Sequence, residues 1–494
     1  MVRRLFLLLV CLATTLAGCS EQPREGIRFG VQQLPLNFDP RQATDAASER
    51  VNHLLYRGLV RFDETRLPQP DLATWQRPEP RRYRFTLEAD SRFDDGSAVT
   101  VRDVLATYDA ILDPENNSPH RSTLSIIEEM RPVDGSTIDF LLARADPYFP
   151  SYLVTGILPA ERIANGHDFS SKPIGSGPFR LKERDAGRLL LERKSDGEIL
   201  SLLLVKEPSV RVLKLLRGEI DLLQGDLPPS LVDYLSAQEG VRVRTAHGSN
   251  YTYLGFNLED PVTGDVRIRR AIAHAIDREA IIRHVFKGRA RKAAGLFPPE
   301  HALGIADETA IRFDPQQAMA LLREAGYGPS RPLELTWKTS SDPFRLRLAT
   351  IMQQQLADAG IRVTIKSHDF GTFFGDIKSG NFQLYSLTWV GLKTPDSFRY
   401  IFHSGSIPPN GANRGRYRSS PVDRLIESAE KEVDIDAQVP FYQRLQRQLL
   451  QDLPYIPLWY EDQMAAYRPG AVSDYVPRQD GNYDGLTGLA RVGR

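Results

Sequence analysis

Ile27, Phe29 and Val31 are separated by Arg28 and Gly30, and this period of two predicts a strand over 27–31 with one face turned inward. The stretch Pro35-Leu36-Asn37-Phe38-Asp39-Pro40 is rich in turn residues, and a helix is predicted to follow at about 48–55. Tyr83-Arg84-Phe85-Thr86-Leu87 alternates again and reads as a strand with one wet face. After the Asp94-Asp95-Gly96 turn the period changes. Val101, Val104, Leu105, Tyr108, Ile111 and Leu112 recur at helical spacing behind a Thr100/Asp103 pair of the capping-box type.

Farther along, 333–338 reads as a strand, 344–358 as an amphipathic helix closed by Gly360, and 361–366 as a second strand, which together make a βαβ unit. Helix starts are marked at Asp314-Pro315 and Ser420-Pro421, and Gly326 ends the first. This alternation predicts mixed α/β lobes. The chain shows no repeat of solenoid period and little linker-like composition, so tight crossings are expected to join its domains.

The first nineteen residues follow another rule: Arg3 and Arg4, an apolar run at 5–12, then Leu16-Ala17-Gly18-Cys19. This is the layout of a signal peptide. The run is shorter than the roughly 20 apolar residues a membrane helix needs, and no later segment reaches that length. Leu-Ala-Gly-Cys resembles the bacterial lipobox, which implies a lipid on the Cys19 thiol and contact with a bilayer through it; an ordinary secretory site beside a chance cysteine is the plainer alternative. The only cysteines are Cys11 and Cys19, so no disulfide, cysteine nucleophile or Cys-ligated metal is expected in the mature body.

A length of 494 residues with 41% hydrophobic content suits two or three domains. Lys+Arg and Asp+Glu both total 63, which argues against a nucleic-acid partner. The nine His include no His-Glu-x-x-His, Gly175-Ser176-Gly177 lacks both the nucleophile-elbow spacing and a following Lys-Ser/Thr, and Asp94-Asp95-Gly96 offers too few oxygens for calcium. No enzyme activity and no cofactor are expected.

Seven segments, in order, resemble one family. They are Tyr56-Arg57-Gly58-Leu59-Val60, Pro70-Asp71-Leu72-Ala73-Thr74-Trp75, Phe93-Asp94-Asp95-Gly96 through Asp103-Val104, Pro173-Ile174-Gly175-Ser176-Gly177-Pro178-Phe179, Gly218-Glu219-Ile220-Asp221-Leu222, Arg269-Arg270-Ala271 through Ala275-Ile276-Asp277-Arg278, and Asp314-Pro315 through Ala325-Gly326-Tyr327. Together they are similar to the family 5 extracellular solute-binding proteins, which include the oligopeptide- and dipeptide-binding proteins of ABC importers.

The resemblance implies an α/β, two-lobed fold of the periplasmic-binding-protein type II, with an extra subdomain in the first lobe. Lobe I is expected at 26–50, 170–250 and 463–494, its subdomain at 51–169 and lobe II at 251–462, with crossings near 251–257 and 457–462. It also implies capture of a peptide or similar polar solute by lobe closure and delivery to an ABC permease, by a monomer held at the cell envelope. A ligand-sensing receptor and a hydrolase on the same scaffold are the rival readings.

The resemblance places Trp389 as an aromatic wall of the cleft. Peptide binders follow that Trp with Trp-x-x-Asp-Tyr, the acid pairing the peptide's α-ammonium, whereas Leu392 occupies the position here. Asp396 or Asp45 can substitute, or Lys393 and Arg399 suit the cleft to an acidic ligand. Thr44, Asp45 and Ala46 lie in the loop that offers backbone hydrogen bonds in the family, His120 sits where peptide binders carry an aromatic, and Trp459 and Tyr460 lie at the return crossing.

Overall fold

The alternating segment at 27–31 is a strand, β1 (Ile27–Val31), with Ile27, Phe29 and Val31 buried in one core. On its other face a Cβ at Gly30 would lie 2.5 Å from Ile220 Cδ1, so the missing side chain lets Ile220 pack directly on the backbone. The computed structural model describes residues 26–63, 68–225, 227–306, 311–392 and 394–492; Cys19 and Lys393 lie outside them.

Among the described residues an eleven-stranded sheet forms the spine. Its strands are β1, β2 (Phe179–Arg184), β3 (Arg188–Arg193), β4 (Ile199–Leu204), β5 (Leu222–Gln224), β6 (Arg242–Phe256), β7 (Leu333–Ser340), β8 (Ile361–His368), β9 (Leu384–Trp389) and β10 (Tyr455–Tyr467), with Ala290–Lys292 added beside β10. The order is β8-β7-β9-β6-β10-β5-β1-β4-β3-β2. The βαβ unit read at 333–366 is present: β7 and β8 pair in parallel from Leu333↔Ile361 to Ser340↔His368, a pairing that requires a crossover helix between them.

β6 and β10 are long enough to belong to both halves of this sheet. Leu222–Gln224 of β5 pairs with Tyr467–Ala465 at one end of β10, while β9 pairs with β6 at the opposite end, from Tyr251↔Trp389 to Phe256↔Leu384. Their shared ladder breaks register between Ala246 and Asn250, opposite Gln463 and Glu461. A bulge of this kind bends and twists a ribbon, and here it falls where the two half-sheets meet. A Cβ at Gly248 would sit 1.9 Å from Glu461 O, so the loop of the bulge packs backbone against backbone.

Five helices matter below: α1 (Ala46–Leu55), α2 (Val101–Leu112), α3 (Pro343–Asp358), α4 (Asp396–Phe402) and α5 (Ile435–Asp452). α1 begins two residues before the predicted start because Asp45 caps it, accepting from Ser48 N at 2.9 Å. The box at α2 is built on Asp103, whose Oδ2 accepts from Thr100 N at 2.7 Å while its Oδ1 accepts from Ala160 N at 2.7 Å. One carboxylate thereby caps a helix and ties it to the 158–160 turn.

The apolar cores follow this layout. One half of the sheet packs β1, β3 and β4 against α1 and the tail residues Tyr475, Tyr483 and Leu486. The other half is covered on both faces: Leu254, Phe256, Trp337 and Trp459 turn toward α3, while Tyr253, Tyr385 and Tyr455 turn toward α4 and α5. A separate four-stranded sheet, in the order Ala73–Glu79, Arg82–Leu87, Thr137–Leu142, Ile127–Pro132, packs on α2 with its own core from Leu59 to Ile157. Val51, Leu54 and Leu55, inside the range expected for this subdomain, pack instead into the core of β1, because α1 lies against that half of the sheet.

Candidate functional site

α1 carries one wall of a cavity of about 410 Å³. Ala46, Glu49, Arg50 and Asn52 line it from the helix and Tyr56 from just beyond its end, Ser151, Tyr152 and Val154 to Gly156 line it from the subdomain, and Asp480 and Asn482 reach it from the tail. The facing wall is a short stretch of the other half of the molecule: Val390, Gly391, Leu392, Thr394, Asp396 and Ser397, the loop from β9 into α4. A cavity of this size whose walls come from two bodies suits a small ligand held between them. A second cavity of about 730 Å³ adjoins it through shared residues such as Tyr56, Val154 and Asn482, but its lining comes from the first half alone.

Two features fix α1 at the cavity. Ser48 Oγ accepts from Leu36 N at 2.9 Å and Asn37 N at 3.0 Å and donates to Asp45 Oδ2 at 2.5 Å, which ties the turn-rich stretch to the helix start. At the other end Gly177 N donates to Leu55 O at 2.8 Å. A Cβ at Gly175 would lie 1.9 Å from Leu55 O, so the two glycines let that turn close on the helix terminus. Asp94 accepts from Gly175 N at 3.0 Å and pairs with Lys194 at 2.5 Å, which makes it a brace for the same turn.

The polar groups of the first wall are incompletely paired. Asn52, Tyr56 and Ser151 are 6%, 4% and 4% exposed, and Asn52 Oδ1, Tyr56 OH and Ser151 Oγ have no hydrogen-bond partner within the protein. Each such oxygen costs about 1–3 kcal/mol when left unpaired, so a ligand that supplies donors gains at these positions. Burial, with Asp39 and Asp94 nearby, raises Tyr56 well above the ordinary phenol range and keeps its hydroxyl protonated. His120 Nε2 lies 3.2 Å from Ala43 O, and burial lowers its pKa despite that bond and Asp39, so the ring is held neutral.

On the facing wall Asp396 accepts from Thr394 Oγ1. It remains open to solvent, but the cleft encloses it, which raises its carboxyl above the usual range, and Asp146 of the subdomain adds to the effect. Asp146 is itself engaged by Tyr148 N at 2.9 Å and by the hydroxyl of Tyr152, a lining residue, at 3.1 Å.

The model of the bacterial extracellular solute-binding proteins, family 5 Middle, matches residues 68–409. The chain belongs to this family. The family 5 chain is similar to Di/tripeptide-binding protein 2 of Pseudomonas aeruginosa (strain UCBPP-PA14), 28% identical over 493 residues covering 90% of this chain and 89% of that one. It is also similar to the Dipeptide-binding protein of Escherichia coli (strain K12), 26% identical over 475 residues, 88% and 87% of the two chains. Among solved structures, the ABC transporter substrate binding protein CtaP from Listeria monocytogenes matches with a TM-score of 0.85 at 22% identity, over 95% of this chain and 100% of that one. The oligopeptide-binding protein AppA from Bacillus subtilis in complex with a nonapeptide matches with a TM-score of 0.79 at 22% identity, over 96% and 100%. These likenesses show the mixed α/β fold of family 5, and membership makes the chain an extracellular solute-binding protein rather than an enzyme. No helix among the described residues is long and apolar enough to cross a membrane.

The family 5 segments quoted above have structural work in this chain. Arg57 reaches Asp71 at 2.7 Å and Glu88 at 2.7 Å, and Leu72 N donates to Gly58 O at 3.0 Å, so the first two segments hold each other. Asp221 pairs with Arg28 at 2.7 Å beside β1. Of the residues singled out for the ligand, Ala46, His120 and Asp396 line the cavity.

The others do not line it. Thr44 is exposed beside it, and Asp45 spends both oxygens on capping Ser48. Trp389 sits behind the wall that Val390 begins; its ring lies 6.5 Å from Tyr253 in a stacked pair, with the Arg414 guanidinium 4.5 Å over it. Arg399 is closed off by a two-point pair with Glu430 at 2.6 Å. Trp459 and Tyr460 are corrections: both are fully buried in β10, Trp459 against Phe286 and Tyr460 donating to Gly295 O and Phe297 O, because the return crossing runs through the sheet interior. Arg50, Asn52, Tyr56, Ser151 and Asn482 went unread as lining residues. Only Tyr56 fell in a quoted segment, and the tail meets the cavity through tertiary folding alone.

Proposed function

We propose that this solute-binding protein is the capture component of an ABC importer, that its solute is a peptide or a molecule with peptide-like polar groups, and that it hands the solute to the permease unaltered. The observation that carries the reading is the cavity whose two walls come from opposite ends of the β6/β10 ribbon. Only when the halves are together does a ligand touch both walls, so binding favours the closed arrangement by the difference in contacts. The names of similar proteins, di/tripeptide-binding and dipeptide-binding, support the solute class.

Denaturing the purified protein and analysing what is released by mass spectrometry tests this: intact short peptides are expected, and a non-peptidic solute or cleaved products overturn it. We further propose that Cys19 carries a lipid that keeps the protein at a membrane. Cys19→Ser should then move the protein from the detergent phase to the aqueous phase in a partition assay. An unchanged partition would remove the anchor.

A further inference from the structure

The subdomain meets the second half of the molecule at a point outside both cavities. Arg77, near the end of the Ala73–Glu79 strand, donates through Nη1 to Val433 O, in the turn between the Ser420–Ala429 helix and α5. The rest of the guanidinium is set by its own subdomain: Nη2 donates to Pro80 O at 3.1 Å, and the group lies 5.5 Å over the Tyr83 ring. Arg77 forms no ion pair among the described residues, and the one acid of its strand, Glu79, is paired with Arg82 at 2.8 Å. The receiving turn is acidic, with Glu430, Glu432, Asp434 and Asp436 against Lys431, and Glu430 is spent on Arg399. A guanidinium suits such a rim better than a neutral donor does.

Both ends of this contact are braced on the walls of the first cavity. Tyr83, 2% exposed, donates to Asp146 O at 2.9 Å, and the carboxylate of Asp146 receives Tyr152 OH, so the ring under Arg77 is tied to a lining residue. On the other side Gln438 Nε2 donates to Glu432 O at 3.0 Å, and Glu430 holds Arg399 on α4, whose first residue Asp396 lines the facing wall. Separating the two walls therefore also parts Arg77 from Val433.

We propose that Arg77 is a positioning residue for capture, a clasp that touches no solute and holds the subdomain against the second half, so that part of the free energy of the closed arrangement comes from the protein itself. This rests on the reading of the protein as a capture component that closes on its solute, and adds to it a residue that sets the open–closed balance. Neither partner of the clasp lines a cavity, so it acts on every solute alike: the apparent affinity scales with the population of the closed form. The extra four-stranded sheet thereby takes part in closure as well as in the cavity wall.

The test reads the open–closed balance without solute. Spin labels carried on Ser136→Cys in the subdomain and Arg424→Cys on the Ser420–Ala429 helix, both exposed positions, report the distance between the halves by pulsed electron spin resonance in the Cys19→Ser chain. In that chain Arg77→Met should lower the ratio of short to long distances about fivefold, the scale of one hydrogen bond from a charged donor, and Arg77→Lys should restore part of it. In a native mass-spectrometric titration with a pool of free di- and tripeptides, Arg77→Met should weaken every peptide that binds by one common factor and leave their order of preference unchanged. Identical distance distributions with Arg77 and with Met at this position overturn the clasp. So does a changed order of preference, because Arg77 would then act on the solute. Binding of no peptide at all overturns peptide capture, and the clasp is then decided by the distances alone.

Discussion

In the body of the second lobe Arg269 and Arg278 are 4% and 5% exposed, and each feeds backbone carbonyls. Arg269 reaches Thr263 O at 2.9 Å, Gly264 O at 2.7 Å and Asp452 O at 3.1 Å, while Arg278 reaches Pro457 O at 2.8 Å and Ile311 O. Burial pulls the Arg269 guanidinium down to about 10, still charged at neutral pH. At the cavity, Arg50 has one aromatic face and no ion pair among the described residues. The difference is between a cation whose donors are consumed in fastening loops to helices and a cation on a cavity wall, beside Glu49, whose donors enter no such fastening among the described residues. It teaches that an arginine on a helix carries no functional meaning until its donors are traced.

The comparison is broken most forcefully in the body. Arg278→Met removes donors from the carbonyls of Pro457, Ile311 and Ala293 and should lower the unfolding free energy by about 3 kcal/mol, read by denaturant titration, with ligand affinity of the folded fraction unchanged. Arg345→Met comes next. Glu461 would be raised by burial, but its contact with Arg345 at 2.5 Å holds it below the usual range, and Thr252 donates to it at 3.0 Å. Since 33% of the Arg345 side chain still meets solvent, the expected loss is about 2 kcal/mol, less than for a fully buried pair.

Trp389→Ala, which removes the ring between Tyr253 and Arg414, should cost about 1.5 kcal/mol by the same measurement. If it abolishes ligand binding and leaves stability untouched, Trp389 belongs to the cavity after all. The smallest effect is that of His120. Its pKa is lowered in the folded state, so the unfolded chain takes up the proton first; its contribution is present above the unfolded value near 6.5 and is lost as pH falls through the folded value. The stability difference between wild type and His120→Gln should therefore shrink on acidification from pH 7.5 to pH 5, by less than about 1 kcal/mol, measured by denaturant titration at both values.

The strands at 27–31 and 333–366 were legible because one face of each is buried and the period survives in the sequence. The βαβ unit was legible for the same reason. Motif order was enough for the family, since Gly175 and Gly177, and Arg57 and Asp71, make contacts that demand those residue types. The cavity was far less legible. Trp459 and Tyr460 look like cleft aromatics in the sequence, yet strand β10 runs through the interior of the sheet, which no local pattern near 459 reveals. Asp45 looks like an anion on offer until Ser48 is seen to occupy it. Arg50 is one polar residue on a short amphipathic helix, and only the arrival of residues 480–483 from the far end of the chain distinguishes it.

That arrival bears on when the protein becomes competent. The tail is anchored in the first half of the molecule through Gln224, whose Nε2 donates to Gly481 O at 2.9 Å and whose Oε1 accepts from Tyr475 OH at 2.5 Å. A chain made amino end first carries α1, the 151–156 segment and the 390–397 loop well before Asp480 and Asn482, so the first wall is complete only when the tail docks. Synthesis through residue 482 is therefore a precondition for a complete first wall.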